Sequence, residues 1–361
     1  MAKFHDIFFE HDKNPEFVRS FDGLRGVAAL FVILSHCSRY NYDLFGCLDF
    51  FRSGKFGIYL FFVLSAYLLD RQICAALLAD KADPGFWRSY FRKRFLRIYP
   101  MYIVALFMYY ISTSLGIHTA IDELKDIPLH LLLIRGKTVF WSIPVEMKYY
   151  AISPFVLIIC RRYLKWNFTA ITVFISVLII ITMFCHYFFY LPATTTLGYM
   201  PVFLTGTFLA VFELLNKNIF SNGKWMRLIN AAAVISCLII LFTIPTFFRF
   251  LTGYSINFIR PLFSVPYSLC WAIILLSSKY GTGPVKWLFE LKFFRFFGII
   301  SYSVYLLHIP VLLYIEANAS IPESLKIYVF LTAIISIGSL TYVCVERPFI
   351  QMKFSRKKQL Q

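Results

Sequence analysis

Acidic residues are scarce in this chain: 19 Asp and Glu stand against 36 Lys and Arg in 361 residues, and charged residues of both signs together make up only 15%. So little charge cannot clothe a water-soluble globule, where about a quarter of residues are charged. Cysteine is held to eight, mostly inside apolar runs, with no C-x-x-C pair and no Cys/His spacing of the kind that binds zinc. That excludes a disulfide framework and a metal module. Cys37 and Cys47 both fall toward the outer side, where a disulfide between them is one reading and ordinary buried or free thiols the simpler one. The segment from Met1 to Arg19 is polar and has no apolar core before a small-residue cleavage site, so the first hydrophobic run is expected to stay in the membrane. No aromatic-rich binding fold accompanies the net charge of +17, which argues against a nucleic-acid partner.

What the chain has is apolar surface: 59% hydrophobic and 19% aromatic residues. Apolar runs recur at roughly 24–38, 56–69, 98–115, 149–160, 168–190, 198–215, 231–247, 258–277, 297–314 and 325–345. They predict an all-α integral membrane protein, a bundle of about ten transmembrane helices. Several runs fall short of the roughly 20 residues of a simple span and must borrow flanking residues. The basic residues between alternate runs, from Arg71 to Arg97, Arg161 to Lys165, Lys217 to Arg227 and Lys279 to Arg295, with those after Glu346, place both termini in the cytoplasm by the positive-inside rule. The expected organisation is a cytoplasmic segment 1–20, a membrane domain 21–349 and a basic tail 350–361.

Two ionisable residues mark the first span. Arg25 and His36 are eleven residues apart, about three helical turns, so they share a face and lie roughly 16 Å apart along the axis. A cation near the inner surface and an imidazole deep in the bilayer are costly, and such groups mark a pathway or a reaction site. The structural alternative is a snorkelling arginine and a histidine bonded to a neighbouring helix. Arg94 and Arg97 are one turn apart before the third run, and their planar forks suit phosphate oxygens as well as anionic lipid. Ser142 and Pro144 signal a helix start that puts Glu146 a turn inside the fourth span, at the expected depth of His36, with Arg135 or Lys148 as alternative partners. Ser301, Tyr305 and His308 form a polar stripe before Pro310. Gly57, Ser65 and Ala66 on the second run, and Gly206 and Ala210 on the sixth, read as close-packing positions. Glu346-Arg347-Pro348-Phe349 and the tail read as a topology and lipid anchor. A multi-span transporter or exporter would also use buried His, Arg and Glu, although no clear internal repeat is present.

Taken in order, these motifs resemble acyltransferase family 3, bacterial integral-membrane acyltransferases that acylate surface polysaccharides and other exported molecules. The matching pieces are Arg25 with His36, Phe61-Phe62-Val63-Leu64-Ser65, Arg94-Phe95-Leu96-Arg97, Trp141-Ser142 through Glu146, Ser301 through His308, and Glu346 through Phe349. Ala66 stands where the family usually has glycine, and Tyr59 where aspartate is frequent. The resemblance implies acetyl-CoA or another acyl-CoA as cytoplasmic co-substrate with no metal, a carbohydrate acceptor, and a multi-pass place in the bacterial inner membrane. Residue chemistry consistent with it puts Arg25, Arg94 and Arg97 on the coenzyme's phosphates, makes His36 and Glu146 the catalytic residues, with His36 either the base in direct transfer or the carrier of an acyl-enzyme, and makes Ser65, Trp141, Tyr305 and His308 substrate contacts. Some members carry a fused SGNH esterase-like domain; with none read after the last span here, the membrane unit is expected to acylate its acceptor directly or to hand the group to a separate protein.

Overall fold

The computed structural model describes residues 2–14, 17–42, 49–189, 192, 194–254 and 261–352; Cys47, Arg260 and the basic residues after Met352 lie outside them. Among the described residues, eight helices are long and apolar enough to cross a membrane: α1 (Ser20–Ser38), α2 (Gly54–Leu78), α3 (Pro84–Ser114), α4 (Ser142–Arg162), α5 (Phe168–Phe188), α6 (Thr196–Leu215), α7 (Gly223–Phe242) and α11 (Glu323–Thr341), which runs on to Gln351. The remaining two apolar runs depart from straight spans. Helix α8 (Ser264–Tyr280) has 17 residues. The run through Phe297 is broken at Ile300 into α9 (Lys292–Ile299) and α10 (Ser301–Ala317), bent by 75° to one another.

Local chemistry sets the helix starts. The Asp83 carboxylate accepts from the Phe86 N–H at 2.6 Å, with Pro84 in the first turn of α3, and the Asn167 side chain accepts from the Ala170 N–H at the start of α5. Helices α1, α2, α4 and α6 are mostly buried, whereas α5 and α7 bury only 17% of their apolar stretches. The first four therefore form the core of the bundle and the other two face lipid.

Backbone contact positions the centre. A β-carbon on Gly298 of α9 would lie 1.7 Å from the Asp22 carbonyl oxygen, and one on Gly26 would lie 1.9 Å from that of Phe294. Only glycine lets α9 lie this closely on α1. On the other side of α2, a β-carbon at Gly206 would meet the Val63 carbonyl at 2.5 Å and the Ala66 β-carbon at 2.7 Å. The small residue that this contact needs sits on α6, which accommodates alanine at position 66. Helices α1 and α2 run antiparallel: Gly57 faces Ala28, Gly54 faces Val32 and Ser35, and the Phe21 and Tyr67 rings lie 5.9 Å apart. Ser65 therefore stands opposite the first turn of α1.

The termini are more integrated than the sequence implied. Phe8 packs on Phe296 and Tyr342, Asp12 pairs with the buried Arg295, and Arg347 pairs with Glu10 at 2.9 Å. Glu346 is buried at the end of a π-helical turn and accepts from Ser303. Glu346 and Arg347, expected as part of a topology and lipid anchor, are thus tied to α10 and to the N-terminal segment.

The long loop before α4 also folds inward. Its helix Asp126–Leu131 is held by Tyr99 and Tyr102, which donate to the Leu131 and His130 carbonyls at 3.1 Å, and Tyr305 donates to the Val139 carbonyl at 2.9 Å. Arg135 donates to Asp126 at 2.5 Å, so it is not available to Glu146. Burial raises the Asp126 carboxyl, but Lys137, the Glu123 backbone N–H and Arg135 outweigh it and hold the group below its usual range.

Two outcomes follow. Gly298→Ala forces a backbone shift and should destabilise by about 1–3 kcal/mol, seen as a lower melting temperature in detergent; Gly223→Ala, with no neighbour within 4 Å of the new atom, should melt like the parent. A depressed carboxyl stabilises above its unfolded pKa and loses that contribution as pH falls through the folded value. The melting difference between the parent and Asp126→Asn should therefore be full above about pH 5 and close below about pH 4.

Candidate active site

The spacing of Arg25 and His36 puts them on one face of α1, and the bundle uses both ends of that face. Arg25 donates to Asp22 at 3.1 Å and lines a cavity of about 120 Å³. Ser65 from α2, Arg94 and Arg97 from α3, Glu146 and Tyr150 from α4, and Tyr305 from α10 line the same space. Six of the nine residues singled out in the sequence thus converge. Arg94 and Arg97 also line a second, open cleft of about 1180 Å³ whose wall includes Lys81, Arg88, Arg92 and Lys93. The two arginines therefore form a shared partition between a basic cleft and a narrow interior cavity.

His36 and His308 are not among the residues that line either space. They meet each other instead, with the His308 Nε2 3.1 Å from the His36 Nδ1 and the ring centroids 4.9 Å apart. Tyr305, one turn earlier on α10, has its ring 6.0 Å from that of His308, which joins the histidine pair to the cavity. The hydrogen bonds assign the tautomers. The His308 Nδ1 is 2.6 Å from the Tyr305 carbonyl, which only accepts, so this nitrogen carries the proton and the Nε2 is a lone-pair acceptor. The His36 Nδ1 faces two acceptors, the Val32 carbonyl at 2.9 Å and the His308 Nε2, so it too is protonated. The His36 Nε2 is then free to take a proton.

Glu146 sits elsewhere. It accepts from Ser65 and Tyr150, whose hydroxyls are 2.9 Å apart. Because Ser65 stands opposite the first turn of α1, this cluster is roughly 20 Å from His36 along the helix axis. The expectation that Glu146 shares the depth of His36 fails for a physical reason: α4 begins at the buried Ser142, which accepts from Tyr305 at 3.0 Å, so its first turn starts inside the bundle. Trp141 does not line the cavity; it stacks on Tyr199 with centroids 5.0 Å apart. Tyr150 and Tyr302 line the cavity without having been singled out. Tyr150 had a readable signal, because it lies one turn after Glu146 on the same face. Among the described residues no three His, Cys, Asp or Glu side chains gather as a metal would require.

A family model described as an acyltransferase domain matches residues 18–345. The chain is 35% identical over 130 residues to the "Protein 2 in picA locus" of Rhizobium radiobacter, covering 35% of this chain and 61% of that protein. It is 24% identical over 380 aligned residues to a "Putative O-acetyltransferase" of Staphylococcus aureus (strain COL), covering 94% of this chain and 58% of that protein; a protein of the same description from strain N315 matches to the same extent. The chain thus spans about three fifths of the length of these relatives. No solved structure matches.

The tautomer assignment is open to direct measurement. In protein labelled with ¹⁵N-histidine, the His36 Nδ1 should give the protonated and the Nε2 the unprotonated nitrogen shift at neutral pH, and His308→Phe should relax that bias. A protonated Nε2 on neutral His36 in the parent would contradict it.

Proposed function

The chain belongs to acyltransferase family 3, and from that membership we propose that it is a bacterial plasma-membrane enzyme that moves an acyl group, acetyl in the simplest case, from cytoplasmic acyl-coenzyme A to a hydroxyl of a surface or exported carbohydrate. The observation that carries this reading is the partition formed by Arg94 and Arg97, open on one side to a basic cleft and on the other to a narrow cavity that reaches Tyr305. A donor with a phosphate-rich head and a long thin arm fits such a pair of spaces. The guanidiniums hold the head by paired, charge-assisted hydrogen bonds, and the arm carries the thioester inward along α1.

The chemistry then falls to the histidine pair. The free Nε2 of His36 takes the proton of the acceptor hydroxyl as its oxygen attacks the thioester carbonyl. The new C–O bond forms, the C–S bond breaks, and the coenzyme leaves as a thiolate that regains a proton from the imidazolium or water. His308 keeps the imidazole in the tautomer that exposes Nε2. The orientation needed is the one that the basic residues imply, with the Arg94 end in the cytoplasm and the His36 end toward the outside.

His36→Ala should lower kcat by about 10² to 10⁴, while Arg97→Ala should cut kcat/KM for acetyl-CoA roughly 10- to 100-fold, as loss of a charge-assisted hydrogen bond does, mainly through KM. In cells, a base-labile acyl mass increment on surface or exported glycans should be present with the parent protein and absent both in a deletion strain and with His36→Ala at equal membrane abundance. Glycans that keep their acyl groups while a product accumulates inside the deletion strain would replace the enzyme by an exporter.

A further inference from the structure

We infer that Ser65, Glu146 and Tyr150 form a recognition site for the amide of the donor's arm that lies farther from the sulfur, a step that rests on the acyl-coenzyme A reading above. The cluster lies on the donor's route rather than at the transfer chemistry. It lines the narrow cavity beside the Arg94 and Arg97 partition, and the antiparallel register of α1 and α2 puts it roughly 20 Å short of His36.

Its hydrogen bonds crowd onto one oxygen of a carboxylate that lines the cavity. The Ser65 and Tyr150 hydroxyls both donate to the Oε1 of Glu146, and the two hydroxyls are 2.9 Å apart. Among the described residues the Oε2 accepts no hydrogen bond and Glu146 forms no ion pair, although three arginines line the same cavity. Arg25 is engaged by Asp22 at 3.1 Å, and Arg94 is turned to Gln72 at 3.3 Å and over the Tyr150 ring at 5.9 Å. The rest of the wall is largely apolar, from Phe61, Phe62, Leu64, Leu68 and Ile143. A carboxylate oxygen in such a slot calls for an N–H donor on an otherwise apolar, slender ligand.

Two secondary amides, spaced along a flexible chain between diphosphate and sulfur, are what the arm of an acyl-coenzyme A offers. The same carboxylate repels a phosphate, so the phosphates stop at the arginines while the neutral amides pass Glu146. The site thereby sets the register of the arm, and the register sets how far the thioester reaches toward His36.

The test compares three acetyl thioesters by thiol release in everted membrane vesicles that carry the host's own glycans: acetyl-CoA, acetyl-pantetheine, which keeps both amides without the phosphates, and S-acetyl-N-acetylcysteamine, which is too short to span from His36 to the cluster. Glu146→Ala should lower kcat/KM for acetyl-pantetheine roughly 10- to 100-fold, the loss expected for a hydrogen bond to a charged group, so that the parent's preference for acetyl-pantetheine over the short thioester collapses. Glu146→Gln, which keeps a carbonyl acceptor, should recover part of that preference. Equal losses on both thioesters would overturn the proposal and place Glu146 in the transfer step or in stability. If Glu146→Ala does not accumulate in the membrane, Ser65→Ala supports the same comparison, with the same outcome overturning it. Failure of the parent to use acetyl-CoA at all would instead defeat the acyltransfer reading itself.

Discussion

The arrangement depends on one steric constraint, the backbone-to-backbone seat of α9 on the first turns of α1. Gly26 and Gly298 leave no room for a β-carbon there, so the two helices are fixed against one another with little freedom to slide. The 75° bend at Ile300 then sends α10 back along the core. His308 can meet His36 at 3.1 Å only because α10 starts from that seat. A side chain at either glycine would displace the whole helix, and with it the imidazole that sets the tautomer of its partner.

Around that seat, carboxylates are buried only where hydroxyls or cations meet them. Asp70 accepts from Tyr149 at 2.5 Å and from Ser153, and Glu213 is held by Lys279 at 2.7 Å, Tyr280 at 2.5 Å, Arg71 and Tyr67. Glu346 has Ser303. In an apolar medium an unmatched charge is costly, so each of these groups fixes the helices that supply its partners. Glu146 differs, because it has two hydroxyl donors on one oxygen and lines an open cavity.

Much of the site was legible before any fold was known. Arg25 and His36 stand out because an apolar run cannot hide an ionisable group, and the helical period puts them on one face. Arg94 and Arg97 are readable as a pair for the same reason, and the structure adds that they border two spaces. Period alone misplaces Glu146: it counts turns from the start of α4 but not how deep that start lies, and the preceding loop carries it into the bundle through Val139 and Ser142. The N-terminal segment carries no such signal, because its ties to Arg295 and Arg347 join residues more than 280 positions apart.

The sequence by itself determined the solvent, the helical class and the face that each charged residue occupies, since composition and period act locally. Which helix meets which was decided only by the tertiary structure. The pairing of His36 with His308 rather than with Glu146, the bend that breaks the ninth apolar run and the depth of α4 all depend on contacts between distant segments, set by where glycine lets backbones touch and where a buried polar group finds its partner.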